Sequence, residues 1–211
     1  MVLSICYFAA LSKKLNDRSK LVATAPRSPD PWESGDREPL GGRSLVRRMV
    51  DHASEAGCEP IGVVVGSYAE KVEAELIGAR AKIFENHNWP AGIGGSIRVG
   101  VQGLIEMEPT LGAIALLACD QPFVDTAVIK RLFALREKTN KAIVASSYSA
   151  TLGVPALFDH SCFSELLALA YSNGAKSIIL RNRKRVTKFP FPKGTINIDT
   201  AANYASLTKI K

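Results

Sequence analysis

Cysteine and histidine are sparse in this chain, and neither is arranged to bind a metal. The four cysteines (Cys6, Cys58, Cys119 and Cys162) contain no Cys-x-x-Cys pair, and His52, His87 and His160 fall at no ligand spacing. A zinc site or a disulfide framework is therefore not expected; buried, reduced thiols of a cytoplasmic protein are. Long apolar runs are missing as well. No stretch reaches the ~18 to 20 residues that span a bilayer. Met1 to Leu11 has no basic residues ahead of its apolar part, so it reads as a strand rather than a secretory signal. No Asp-x-Asp occurs, which argues against a glycosyltransferase on a nucleotide-binding sheet. The net charge of +7 is spread thinly, with one dense cluster at Arg181, Arg183, Lys184 and Arg185. No aromatic-rich signature accompanies that cluster, which reads as a solvated helix end and not as a nucleic-acid surface. The overall charge favours small anionic partners such as nucleotides.

What is present is a core. Hydrophobic residues make up 46% of the 211, and a single α/β domain over 1–211 is the expectation. The chain is organised around Leu111 to Pro122. Ile114 to Cys119 is a short, continuous apolar run closed by Asp120 and Pro122. Such a run suits a strand buried on both faces of a parallel sheet. Asp120 would stand at its carboxyl end, where open α/β sheets bind ligands and where a carboxylate can hold a metal ion. Taken alone, it could equally cap a turn or the following helix.

Strands and helices alternate on either side. Strands are expected at Ser4–Ala10, Ile61–Val65, Lys82–Glu85 and Ala142–Ser147, and Leu152–Phe158, apolar around Gly153 and Pro155, reads as a strand or an edge segment. Ser44 opens a helix with Leu45, Val46, Met49, Val50 and Ala53 on one face, and further helices are expected near Tyr68, Ser96, Thr126, His160 and Gly174. A closing hairpin (Val186–Phe189 with Thr195–Ile198) and a last helix after Asp199 complete the series. Leu11–Lys20 reads as a basic loop. Residues 22–42, with four prolines and no apolar period, read as a mobile loop. Alternation of this kind implies βαβ crossovers and a mostly parallel, three-layer α/β/α sheet of Rossmann-like type.

Several segments, in order, resemble one family. They are the Gly66 strand end, Asn86-His-Asn-Trp-Pro-Ala-Gly-Ile-Gly-Gly-Ser96, Cys119-Asp-Gln-Pro122, Gly153-Val-Pro155, Gly174-Ala-Lys176 and Ile198-Asp-Thr200. This pattern is similar to the nucleotidyltransferases that finish the molybdenum cofactor (MobA-like NTP transferases), in particular molybdenum cofactor cytidylyltransferase. The resemblance implies the nucleotide-diphospho-sugar transferase fold, with a nucleoside triphosphate and Mg²⁺ at the carboxyl edge of the sheet. Asp120 would hold the metal, with Asn197 or Asp199 as second ligand. Ala9, Ala10, Leu11, Lys20, Gly66, Gly95 and Ser96 would bind the nucleotide, Lys20 balancing phosphate charge. Gly153, Pro155, Gly174 and Lys176 would face the phosphorylated pterin acceptor.

The first loop departs from the family pattern. Ala9, Ala10 and Lys20 match, but Leu11 replaces the first glycine, Lys13 a serine, Leu15 an arginine and Asp17 the second glycine. A Cβ where the loop needs φ > 0 obstructs the inward turn of its N–H groups toward phosphate. A missing arginine leaves transition-state charge uncompensated. Ser172 and Lys176 also differ from an acidic residue and an arginine, and Asn197 from an aspartate. Two readings follow. One is an active Mg²⁺-dependent cytidylyltransferase using CTP, delivering product to a molybdoenzyme or its chaperone. The other is a weakened or inactive relative that binds nucleotide or cofactor as a regulatory or delivery protein. Neither reading needs a membrane or a nucleic acid.

Overall fold

The structure is a computed structural model that describes residues 9–11, 19–24, 43–66 and 69–198, the first two segments as backbone. Its strands are β1 (Ala9–Leu11), β2 (Ser19–Thr24), β3 (Cys58–Val65), β4 (Lys82–Glu85), β5 (Ala113–Leu116), β6 (Ile143–Tyr148), β7 (Thr151–Asp159) and β8 (Val186–Pro190). They form one sheet in the order β4-β3-β2-β5-β7-β6-β8, with β1 off that path against β5. Strands β4, β3, β2 and β5 run parallel to one another; β7 runs against β5 and β6, and β8 lies parallel to β6. The sheet is thus mostly parallel, with helices on both faces, the expected three-layer α/β/α arrangement.

Alternation along the strands makes the three layers. Val63 and Val65 of β3, with Ala113 and Ala115 of β5, face a core shared with α1 (Leu45–Glu55), α2 (Ala69–Glu75) and α4 (Thr126–Thr139). Val64, Ile114 and Leu116 face the other way. They pack against α3 (Ile93–Met107), α5 (Phe163–Leu167) and α6 (Ala175–Arg181). The central apolar run therefore serves both cores, as a doubly covered strand must. α1 follows its sequence signals: the Ser44 hydroxyl accepts from Arg47 N–H, and Val46, Met49, Val50 and Ala53 are buried. Each large side chain of that stripe contributes roughly 1.5 to 3 kcal/mol on burial. Asp125 caps α4 in the same way, through Val128 N–H. No helix among the described residues is long and apolar enough to cross a membrane.

Five expectations change. Lys20 lies inside β2, not at the end of a loop, and Val22–Thr24 also belong to that strand, aligned with β3 and β5. The rest of the expected 22–42 loop, and the expected final helix, lie outside the described residues. α3 begins at Ile93, three residues before Ser96, so Gly94 and Gly95 form its first turn. β7 is interior, not an edge. Its ladder with β6 jumps from Ala145↔Ala156 to Ser146↔Gly153, leaving Val154 and Pro155 outside the pairing. That irregularity is what lets a proline sit in a central strand. Finally, β8 pairs with β6, and Pro192–Thr195 form a 3-10 turn, so the expected hairpin of Val186–Phe189 with Thr195–Ile198 is not formed among the described residues.

Candidate functional site

Everything chemically interesting gathers where the parallel strands end. β5 leaves the sheet through Leu117 to Cys119, all buried, and delivers Asp120 and Gln121 at the carboxyl edge, both buried. The turn is held by Gln121 N–H on Ala118 O (3.1 Å) and Val124 N–H on Gln121 O (3.2 Å). From across the edge, Ile198 N–H, next in the chain to Asn197, donates to Asp120 O at 2.8 Å. Asp199 lies outside the described residues.

Gln121 ties three strand ends together. Its Nε2 donates to Val154 O (3.2 Å) on β7 and to Gly194 O (2.9 Å) in the turn after β8. Tyr148, at the end of β6, donates its hydroxyl to the same Val154 O at 3.0 Å. Burial pushes the Tyr148 phenol above its ordinary value, the Gln121 side chain pulls it back, and the negative charge of Asp120 adds to the rise. Asp120 is therefore felt electrostatically at Tyr148. Gly153 explains itself here, since a Cβ on it would lie 2.4 Å from the Tyr148 hydroxyl. Pro155, one residue beyond Val154, accepts from the Ser146 hydroxyl at 2.6 Å. Cys119 is buried, and burial, with Asp120 adding, raises its thiol well above the usual range. It is a core residue and no nucleophile. Cys58 and Cys162 are likewise free and buried, as expected.

A second group lies at the ends of β3 and β4. Asn86 is buried; its N–H donates to Val65 O (2.7 Å), its Oδ1 accepts from Asn88 N–H (3.1 Å), and its Nδ2 donates to Ser96 Oγ (2.8 Å). The Ser96 hydroxyl is thereby fixed on the first turns of α3. Gly66 leaves room for Trp89, whose ring atoms stand 2.5 to 2.7 Å from where a Cβ would be. The glycines before Ser96 meet protein. A Cβ on Gly92 would lie 2.3 Å from Tyr171 O, and one on Gly94 2.0 Å from Ala170 O and 2.8 Å from Asn173 O. Gly94 N–H donates to Tyr171 O at 2.9 Å. Gly174 caps α6 with Ile93 at ordinary contact, 3.8 Å. So the fold sets Gly174, expected on the acceptor side, against Ile93 at the start of the helix that carries Gly95 and Ser96, expected on the nucleotide side.

Sequence reasoning missed Tyr148, Tyr171 and Arg98. Arg98 sits over the Tyr171 ring, 4.2 Å from its centroid. Hydrogen bonding from Asn88, then from Arg98, with the arginine's charge, holds the phenol below its ordinary value. Arg98 and Tyr171 carry no local signal, because they meet across more than seventy residues of chain, and Tyr148 reaches Val154 only across the turn between β6 and β7. Lys20, Ala9, Ala10 and Leu11 are placed by their backbones in β2 and β1. A cleft of about 440 Å³ opens at the opposite edge, among Gly57, Cys58, Arg80 and Lys82 at the amino ends of β3 and β4. It is remote from this chemistry.

The MobA-like NTP transferase domain model matches residues 38–186 of this chain. The chain belongs to that family. Members of the MobA-like family and of wider nucleotidyltransferase groups share its fold. Rv0371c from Mycobacterium tuberculosis H37Rv superposes with a TM-score of 0.65 at 23% identity, over 82% of this chain and 88% of that one. Molybdopterin-guanine dinucleotide biosynthesis protein A from Archaeoglobus fulgidus does so with 0.54 at 19%, over 80% and 86%. Bifunctional protein GlmU from Syntrophotalea carbinolica is 33% identical over 105 residues, which is 50% of this chain and 22% of that protein. The chain spans under a quarter of the length of the curated relatives it matches. The MobA-like match takes in Asn86–Ser96, Asp120–Pro122 and Gly174–Lys176 but neither β1 nor Lys20.

Proposed function

We propose that this chain is a nucleotidyltransferase that moves CMP from CTP to the terminal phosphate of a molybdopterin-type cofactor. The observation that carries the reading is Asp120, presented at the carboxyl edge of a MobA-like sheet and fastened by the Asp120 O to Ile198 N–H bond. Among the described residues no three of His, Cys, Asp and Glu gather in one place. A divalent ion would thus meet fewer than three such side chains among the described residues. That fits Mg²⁺, which keeps several waters and is commonly held by one or two carboxylates plus substrate phosphates. Asp120 would hold it, with Asn197 or Asp199 as second ligand. The ion, when bound, would neutralise charge building up on the triphosphate.

In the reaction an acceptor phosphate oxygen forms a bond to the α-phosphorus, the bond from that phosphorus to the β-bridging oxygen breaks, and pyrophosphate leaves. No side chain need act as a strong base, because the attacking oxygen is already anionic. The chain's own work is orientation and charge balance. Lys20 would balance phosphate charge, Gly66, Gly95 and Ser96 would place the nucleotide, and Gly153, Pro155, Gly174 and Lys176 the acceptor. Ala9-Ala10 and Asp120-Gln121-Pro122 favour CTP over GTP by resemblance. We place the protein in the cytoplasm, with a molybdoenzyme or its chaperone as recipient.

One observation favours the second reading, a weakened relative that binds without turnover. The family match begins at residue 38, leaving out the altered first loop with Leu11 in place of glycine. Calorimetry with each of the four nucleoside triphosphates, with and without Mg²⁺, tests both. Mg²⁺-dependent binding that is tightest for CTP is expected; no binding of any triphosphate overturns the transferase reading and the nucleotide-binding form of the second.

A further inference from the structure

Tyr171 is an exposed aromatic ring at the carboxyl edge, 41% accessible, in the loop between α5 and α6. A single exposed ring is ordinary. This one is not loosely held. Gly92 and Gly94 bring its backbone against the start of α3 so closely that a Cβ on either would collide with a carbonyl oxygen of residue 171 or 170. The Gly94 N–H to Tyr171 O bond locks that approach. Gly95 lies against the Cδ1–Cε1 edge of the ring, where a Cβ would stand 2.8 Å away, and Arg98, one turn further on, covers one face at 4.2 Å. Beside the same glycine, 3.7 Å from where its Cβ would be, is the Nδ2 of the buried Asn86, bonded to Ser96 Oγ. The ring is thus fixed, braced by a cation on one face, with the Asn86–Ser96 pair beside the same glycine.

We propose that the other face of Tyr171 is a stacking platform for a planar heteroaromatic ring, a nucleobase or a pterin, carried by one of the two substrates. The inference rests on the nucleotidyltransferase reading and adds a residue to it. An aromatic face accepts any planar π-system, while the neighbouring Asn86 and Ser96 supply selectivity. Arg98, from behind, keeps the ring in place and adds positive potential toward a phosphorylated ligand.

The test is calorimetry on the full chain with Mg²⁺, comparing wild type, Tyr171→Ala, Tyr171→Leu and Tyr171→Phe. The ligands are CTP, GTP, 6-hydroxymethylpterin and inorganic tripolyphosphate. For at least one ring-bearing ligand, Tyr171→Ala and Tyr171→Leu should weaken binding at least about fivefold. Tyr171→Phe should stay within about threefold, and tripolyphosphate should bind all four proteins alike. A loss confined to CTP or GTP assigns the platform to the nucleotide, and a loss confined to the pterin assigns it to the acceptor. Unchanged binding of every ring-bearing ligand by Tyr171→Ala and Tyr171→Leu refutes the platform, as does an equal loss of tripolyphosphate. A wild type that binds none of the four ligands overturns the nucleotidyltransferase reading and the platform with it.

Discussion

Gly94→Ala tests whether the joint between α3 and the 170–174 loop is built as described. In a free helix this change would stabilise by roughly 0.5 to 1 kcal/mol, because alanine loses less backbone freedom than glycine. Here the added methyl would stand 2.0 Å from Ala170 O and 2.8 Å from Asn173 O, backbone atoms that cannot swing aside. The loop must move, at about 1 to 3 kcal/mol for overpacking. The Gly94 N–H to Tyr171 O bond would stretch with it, at about 0.5 to 1.5 kcal/mol. The net expectation is a destabilisation of about 0.5 to 4 kcal/mol. For a domain of this size that lowers Tm by roughly 1 to 16 °C. Thermal melting followed by circular dichroism reads it, with a urea titration to check that the m-value is unchanged. Gly174→Ala is the control. Its Cβ would meet only Ile93 methyls at 3.8 Å and its φ is −89°, so the change should stay within about 0.5 kcal/mol. A Gly94→Ala protein that melts at or above wild type would refute the tight joint.

Three further outcomes follow from other parts of the edge. Gln121→Leu removes the donor shared by Val154 O and Gly194 O. Val154 O keeps the Tyr148 hydroxyl, so the loss of the Gly194 O partner should cost roughly 1 to 3 kcal/mol in urea unfolding; an unchanged midpoint would mean that Gly194 O finds another partner. At Asp159 burial raises the carboxyl, but the Arg136 and Ser161 bonds and the Arg136 charge outweigh it and hold it below its ordinary 3.8. A depressed carboxyl contributes stability that is complete above its unfolded pKa and is lost as pH falls through the folded one. The stability gap between wild type and Asp159→Asn should therefore be flat from pH 7 to about 5 and shrink below about 4; a gap that persists unchanged in strong acid would contradict the pairing. Restoring the first loop in a Leu11→Gly, Leu15→Arg protein should raise turnover at least about tenfold, more than it tightens CTP binding. No gain over an active wild type would show that other groups already grip the phosphates.

The sequence was most legible where one local rule decided the outcome. Ser44 and the apolar stripe behind it specify α1, and the run ending at Asp120 can only be a strand covered on both faces. It was least legible where a distant partner decided. α3 starts early because Tyr171 O, some eighty residues on, accepts the Gly94 N–H. Pro155 argued for an edge, but the register jump opposite Val154 shelters it inside the sheet. Thr195–Ile198 has the composition of a strand; it forms none because Gln121 and the Asp120 carbonyl capture Gly194 and Ile198 instead. Asp120, Gly66, Ser96 and Gly174 were singled out by motif order. Tyr148, Arg98 and Tyr171 were not, since their roles exist only once strand ends and helix starts are side by side.

The central claim is that Asp120 anchors metal-dependent nucleotidyl transfer at the carboxyl edge. Pyrophosphate release measured with CTP, Mg²⁺ and a phosphorylated pterin acceptor, in wild type and in Asp120→Asn, tests it most directly. The account predicts release by wild type and a fall of at least about a hundredfold in the variant, with its melting temperature nearly unchanged. An Asp120→Asn protein that releases pyrophosphate at the wild-type rate, or that keeps full nucleotide binding while melting far earlier, would make Asp120 a structural cap and contradict the claim.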